Sequence, residues 1–285
     1  MRTLLTLLCL VPGLLAGSAI AEVEEESSPD EPGTEVNIAW GPRVEGEIFE
    51  YSTGGETYQG YLARNVNDSE ARPAVLVVHE WWGLDDYARA RADQLAALGF
   101  VALAVDMYGG GQTATHPDQA SEFSAQVMQD WPAARARLEA AMSQLREHPA
   151  VADTGMAAIG YCFGGGVVMN MALAGMPIDA AISFHGSPTQ AVNTPQAFEG
   201  VVQIHNGGAD SLVTREDLTA MAGALEAQGA DVEVINYPDA RHAFTNPGAD
   251  ATGEEFGMPL GYDAAADAAS WQAALLALDK ALNND

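Results

Sequence analysis

Solid apolar runs that recur between stretches of helical spacing constrain this chain most. Residues 74–79 read AVLVVH, with no polar group before the closing histidine. A run like that suits a strand covered on both faces, the condition of a parallel sheet flanked by helices. Residues 87–98 follow with Ala, Leu and Arg at helical spacing, and Gly99 stops them. The alternation continues with strands expected over 101–105, 156–161, 178–184, 201–205 and 232–237. Helices are expected over 121–147 (broken or restarted at Pro132), 164–174, 215–228 and 264–282. Upstream, residues 45–52 and 57–62 alternate in polarity around Gly54-Gly55, which predicts an antiparallel hairpin. The reading is an α/β fold: a mostly parallel central sheet, helices on both faces, and an N-terminal antiparallel hairpin. Chemistry in such sheets gathers at the carboxyl ends of the strands. That singles out His79-Glu80, Asp106, Cys162, His185, Asp210 and His242.

The first residues read differently. Arg2 precedes an apolar segment over residues 4–15, shorter than the ~20 residues a membrane span needs. Ala19-Ile20-Ala21 then fits a small-x-small cleavage site. Residues 1–21 are expected to be a signal peptide, so the mature chain is expected to be exported, to a bacterial periplasm or the medium. Residues 22–36, EVEEESSPDEPGTEV, read as an acidic flexible linker, and residues 37–285 as one domain. Of the two cysteines, Cys9 lies in the apolar leader. Cleavage would leave Cys162 as the one thiol, with no disulfide possible within the chain.

Acidic residues number 40 against 12 basic, a formal net charge of −28. Such a surface repels nucleic acid and anionic membranes, and neither is an expected partner. The acidity is read as a solvated surface suited to a saline habitat, and the mature protein as a monomer without stable membrane association.

Gly160-Tyr161-Cys162-Phe163-Gly164 has the form of a nucleophile elbow. The turn from strand to helix strains the central residue and leaves no room for a Cβ at either glycine. It aims a helix N-terminus at the thiol, which favours thiolate, and offers the Phe163 amide to a developing oxyanion. An isolated cysteine of this kind reads first as a small buried hydrophobe. The order of its partners separates the two readings. An acid and then a histidine follow the nucleophile in elbow hydrolases, and here Asp210 and His242 each follow a strand. His242 would be the base and Asp210 would hold its tautomer. Asp231 and Asp239 are rival carboxylates, Asp239 reading as a turn residue.

The Trp81 amide is the candidate second oxyanion donor, and Glu80 beside it would raise the thiol's pKa or take its proton. Trp82, Tyr108, His185, Phe244 and Asn246 are candidate pocket residues. His185 and His205 read as packed histidines on the floor of the site, and no metal ligand set has suitable spacing. Gly109-Gly110-Gly111 lacks a phosphate-loop pattern and is expected to be a flexible loop over the site.

Through HEWWGLDDY, GYCFGGG, FHG, the Asp210 loop and YPDARHAFTNP, the chain resembles the dienelactone hydrolase family, over roughly residues 45–283. The resemblance implies an α/β-hydrolase fold, a triad of Cys162, His242 and Asp210, and no cofactor. It implies that Glu80 interacts with the resting thiol and helps ionise it when substrate arrives. It also implies hydrolysis of an enol lactone through a thioester. The best-known members grip their substrate's carboxylate with two arginines. Here no Arg or Lys lies between Arg91 and Arg135, and the position four after His242 is Asn246. The expectation is therefore an exported hydrolase of small esters or lactones that are not strongly anionic. A non-catalytic binding or thiol redox-sensing protein on the same fold is the alternative, and the presence of both Asp210 and His242 weighs against it.

Overall fold

The computed structural model describes residues 41–282. The expected signal peptide, Cys9 and the acidic linker lie outside the described residues.

Eight strands form one sheet: β1 (Val44–Thr53), β2 (Glu56–Asn65), β3 (Arg72–Val78), β4 (Val101–Val105), β5 (Val151–Tyr161), β6 (Ala180–Phe184), β7 (Val201–Gly207) and β8 (Asp231–Tyr237). Their order across the sheet is β1-β2-β4-β3-β5-β6-β7-β8. The β1/β2 and β2/β4 pairs are antiparallel, and every pair from β4 to β8 is parallel. The expected hairpin is thus the antiparallel edge of an otherwise parallel sheet.

The helices are α1 (Asp86–Ala97), α2 (Pro117–Gln129), α3 (Trp131–Arg146), α4 (Phe163–Leu173), α5 (Arg215–Glu226), α6 (Ala249–Phe256) and α7 (Ala264–Leu282). Period-two alternation sends Leu76, Val78, Leu103 and Val105 into a core shared with α3, α4 and α5. It sends Val75, Val77, Ala102 and Ala104 into a second core against α1 and α7. Helices therefore cover both faces, which is why these strands are apolar throughout. Among the described residues no helix is long and apolar enough to cross a membrane.

The expected 121–147 helix is two helices. Asp130 closes α2 and caps α3, where its carboxylate accepts the Ala133 N–H at 3.2 Å. Pro132 falls in the first turn of α3, where a missing N–H costs nothing. Helix α6 has no counterpart in the sequence reading.

Candidate active site

Cys162 sits between β5 and α4 with φ 53° and ψ −115°, a conformation that costs a residue with a side chain about 1–3 kcal/mol. The glycines around it are dictated by space. A Cβ on Gly160 would lie 2.1 Å from the Gly164 carbonyl oxygen, and one on Gly164 would lie 2.2 Å from the Val78 carbonyl oxygen. Cys162 occupies the N-cap position of α4, but its side chain makes no capping bond. The thiol is left for other chemistry. Phe163 is the first helical residue, so its N–H has no carbonyl one turn back.

Among the described residues, the non-glycine residues with positive φ are Cys162, His185 and Ala243. All three stand at this site, and hydrogen bonds tie the Cys162 turn to His185 and His185 to the loop that carries Ala243. The Cys162 N–H is shared between the Phe184 carbonyl at 3.0 Å and His185 Nδ1 at 3.2 Å. Burial holds the His185 pKa well below its ordinary value. The ring is neutral, and since Nδ1 accepts, Nε2–H donates to Thr245 Oγ1 at 2.7 Å. Thr245 also bonds the Tyr87 hydroxyl at 2.6 Å, and its carbonyl accepts from buried Arg91 at 2.7 Å. Arg91 is itself paired with Asp267 at 2.5 Å. This polar chain fixes the His242 loop against α1, α7 and the Cys162 turn.

His242 and Asp210, each from the loop after a strand, meet at 2.7 Å between Nδ1 and Oδ2. The Asp210 side chain is fully buried, and its other oxygen accepts the Leu212 N–H at 2.8 Å. With Nδ1 committed, Nε2 is the nitrogen left to serve Cys162, whose side chain acts on this ring. Burial opposes the imidazolium, but the charge and hydrogen bond of Cys162 and the Asp210 carboxylate outweigh it, and the His242 pKa rises to about 10. Asp210 therefore stands in the position expected of the orienting acid. Asp231 does not: it pairs with Lys280 at the protein surface.

Glu80 follows β3 and is buried. Burial first, and the nearby Asp85 charge second, raise its pKa to about 7 against the lowering effect of Asn246, His242 and Arg91. Asn246 Nδ2 donates to Glu80 Oε2 at 2.6 Å. Arg241 points away, to an exposed ion pair with Asp250 on α6.

These groups open onto a cavity of about 190 Å³. Glu80, Cys162, His242 and Asn246 form its reactive side, and Trp81, Trp82, Leu212, Val213, Met258 and Leu260 give it apolar walls. No Lys or Arg lines it. Trp82 and Asn246 stand where expected. Three candidate pocket residues do not line the cavity and need correction. His185 lies beneath the Cys162 turn, fully buried. Phe244 is buried beside Ala240, Ala266 and Tyr237, because its loop turns the ring into the fold. Tyr108 stands behind Trp81 and donates to its carbonyl at 2.8 Å. His205 is also packed internally, stacked on Phe184 with Nδ1 3.0 Å from the Tyr237 hydroxyl. The glycine loop is tied down rather than loose: the Asp106 carboxylate accepts N–H bonds from Gln59, Tyr108, Gly109 and Gly111. The far wall was missed in the sequence. Ala249 and Thr252 of α6, with Met258 and Leu260 beyond it, close the cavity, and Leu260 forms a β-bridge to His242. No cluster of three or more His, Cys, Asp or Glu among the described residues is arranged to hold a metal ion.

The sequence profile of the dienelactone hydrolase family matches residues 58–282. A protein of Aquifex aeolicus named "Putative carboxymethylenebutenolidase" is 30% identical over 207 residues, covering 70% of this chain and 87% of its own. Two solved structures are each 32% identical and cover 84% of this chain and 99% of theirs. They are m3DLH, with a TM-score of 0.79, and the dienelactone hydrolase-like promiscuous phosphotriesterase P91 from metagenomic libraries, with a TM-score of 0.73.

Proposed function

The chain belongs to the dienelactone hydrolase family, and on that premise we propose that it hydrolyses small uncharged esters or lactones through a Cys162 thioester. The Asp210–His242–Cys162 chain at the floor of an apolar cavity carries this reading.

His242 as imidazolium stabilises a Cys162 thiolate. The sulfur attacks the substrate carbonyl, and the oxygen that gains charge takes the N–H groups of Phe163 and Trp81. On collapse the C–O bond to the alcohol breaks, and His242 gives its proton to the departing oxygen. Neutral His242 then takes a proton from water. The hydroxide attacks the thioester, and the acid leaves as the Cys162–His242 pair re-forms. Asp210 holds the tautomer throughout. Glu80 loses its proton near neutrality, and its charge then favours the imidazolium of the pair. A thiolate is itself a good leaving group, so activated esters and enol lactones suit it and amides do not. With Glu80 in the wall and no arginine or lysine lining the cavity, a carboxylate on the substrate gains no bidentate partner. Neutral substrates fit, with no cofactor. The leader-like residues 1–21 support an exported enzyme, testable by fractionating cells that express the full chain.

Turnover of p-nitrophenyl acetate by the wild type, Cys162→Ala and His242→Ala tests the mechanism. Both variants are expected to be inactive, and in the wild type the acetyl group is expected on Cys162 by rapid acid quench and intact mass. Unchanged turnover in either variant would sink it. Ready sulfenylation without ester turnover would favour the redox-sensing alternative.

A further inference from the structure

The second oxyanion donor of this site is an N–H on a loop, and a loop amide is a useful donor only if its peptide plane is fixed. We infer that His79 and Tyr108 are positioning residues that aim the Trp81 N–H into the oxyanion site, by holding the carbonyls of the two peptides that meet at Trp81. The inference rests on the proposed Cys162 chemistry and adds to it.

His79 is fully buried at the end of β3. Its Nδ1 lies 2.5 Å from the Glu80 carbonyl oxygen, and its Nε2 lies 3.3 Å from the Met107 N–H. A carbonyl only accepts and an amide N–H only donates, so Nδ1 carries the proton and Nε2 is bare. The ring is therefore neutral, and burial holds its pKa down at about 4. The Glu80 carbonyl and the Trp81 N–H belong to one trans peptide and point to opposite sides of it. Holding the carbonyl on the His79 side turns the N–H to the other side. The Gly83 N–H supports the same carbonyl at 3.3 Å.

The next peptide is held in the same way. The Tyr108 hydroxyl donates to the Trp81 carbonyl at 2.8 Å. With both planes fixed, the φ and ψ of Trp81 are both set. No hydrogen bond among the described residues takes up the Trp81 N–H itself. The two props share one foundation. Tyr108 and Met107 follow Asp106, whose carboxylate collects the Tyr108, Gly109 and Gly111 amides. The His79 ring also packs 5.8 Å from that of Phe163, the other donor residue. A hydrogen bond to a peptide carbonyl polarises the N–H of that peptide, so His79 would strengthen the donor as well as aim it.

The test compares two reactions of Cys162. Ester hydrolysis builds an oxyanion; alkylation by iodoacetamide forms an S–C bond, expels iodide and builds none. Tyr108→Phe keeps the ring and removes one prop, and His79→Gln removes the other. Losing an oxyanion donor outright costs about 10²–10³-fold in kcat, so misaimed donors should cost about tenfold in each variant. The KM for p-nitrophenyl acetate and the alkylation rate should stay at wild-type values. Unchanged kcat in both variants would overturn the inference, as would alkylation falling in parallel with kcat. Cys162→Ala, run alongside, separates the two levels. If it is inactive while the props prove silent, only the positioning role fails. If it turns over ester, the nucleophile and the positioning role fail together.

Discussion

Asn246 Nδ2 donates to Glu80 Oε2 at 2.6 Å, inside a cavity that also holds Cys162 and His242. The bond favours the ionised carboxyl and so works against the burial that lifts its pKa to about 7. Asn246→Ala should therefore move the Glu80 titration upward from there. The acid limb of the kcat/KM profile for a neutral ester should shift to higher pH with it. A limb at the wild-type position would separate Asn246 from the ionisation of Glu80.

Stability should carry the same signature. Glu80 has a folded pKa of about 7 against an ordinary 4.5. A raised carboxyl pKa contributes stability that is fully present below 4.5 and lost as pH rises through 7. Glu80→Gln has no such titration. Between pH 5 and pH 8 the wild type should lose roughly 3 kcal/mol relative to the variant. Urea unfolding of both proteins at the two pH values measures it, and parallel behaviour would contradict the assignment.

The 2.7 Å contact between His242 and Asp210 predicts a second titration. His242 is raised from 6.5 to about 10, so its contribution to stability is present below 6.5 and lost as pH rises through 10. Asp210→Asn removes a charge that favours imidazolium and frees the ring to take the wrong tautomer. The imidazole nitrogen shifts should titrate at lower pH, and kcat should fall by roughly 10²–10⁴-fold. A variant whose nitrogen shifts and kcat match the wild type would remove Asp210 from its role.

The elbow tolerates no Cβ. In Gly160→Ala the new carbon would meet the Gly164 carbonyl oxygen at 2.1 Å, and that oxygen is backbone within a fully buried helix. Overpacking at a backbone that cannot move costs at least about 1–3 kcal/mol. The variant should unfold at lower urea and alkylate more slowly at Cys162, while Gly223→Ala on α5, with open space around it, should alkylate as wild type and unfold at the same or higher urea.

Much of this was legible because burial leaves a strong mark on sequence. The strands buried on both faces read as unbroken apolar runs, and the elbow reads as two glycines because two carbonyls crowd its Cβ positions. What failed to read was set by tertiary contact. Helix α6 is ADATGEEF, too short and too polar to show a helical period, and it is a helix because it closes over the cavity. Tyr108, His185 and Phe244 are of pocket-lining type, yet the side chain's direction depends on loop backbone that composition does not encode. The glycine loop read as mobile because the acceptor that gathers its amides, Asp106, acts through tertiary hydrogen bonds.

Helix α6 and the segment after it should set acyl length. Met258 is half-buried and lines the wall facing Cys162, whereas Leu260 is buried and bridged to His242. Truncating Leu260 would disturb the base as well as the wall. Met258→Ala enlarges the cavity from the side that no catalytic group touches. Each methylene that newly fits is worth about 0.8 kcal/mol of burial. The ratio of kcat/KM for p-nitrophenyl hexanoate over acetate should therefore rise about tenfold or more as two or more methylenes are accommodated. Turnover of acetate should hold, because the Asp210–His242–Cys162 chain is untouched. An unchanged ratio would mean that the acyl chain leaves the cavity by another side, past Leu212, which is 51% exposed at the mouth.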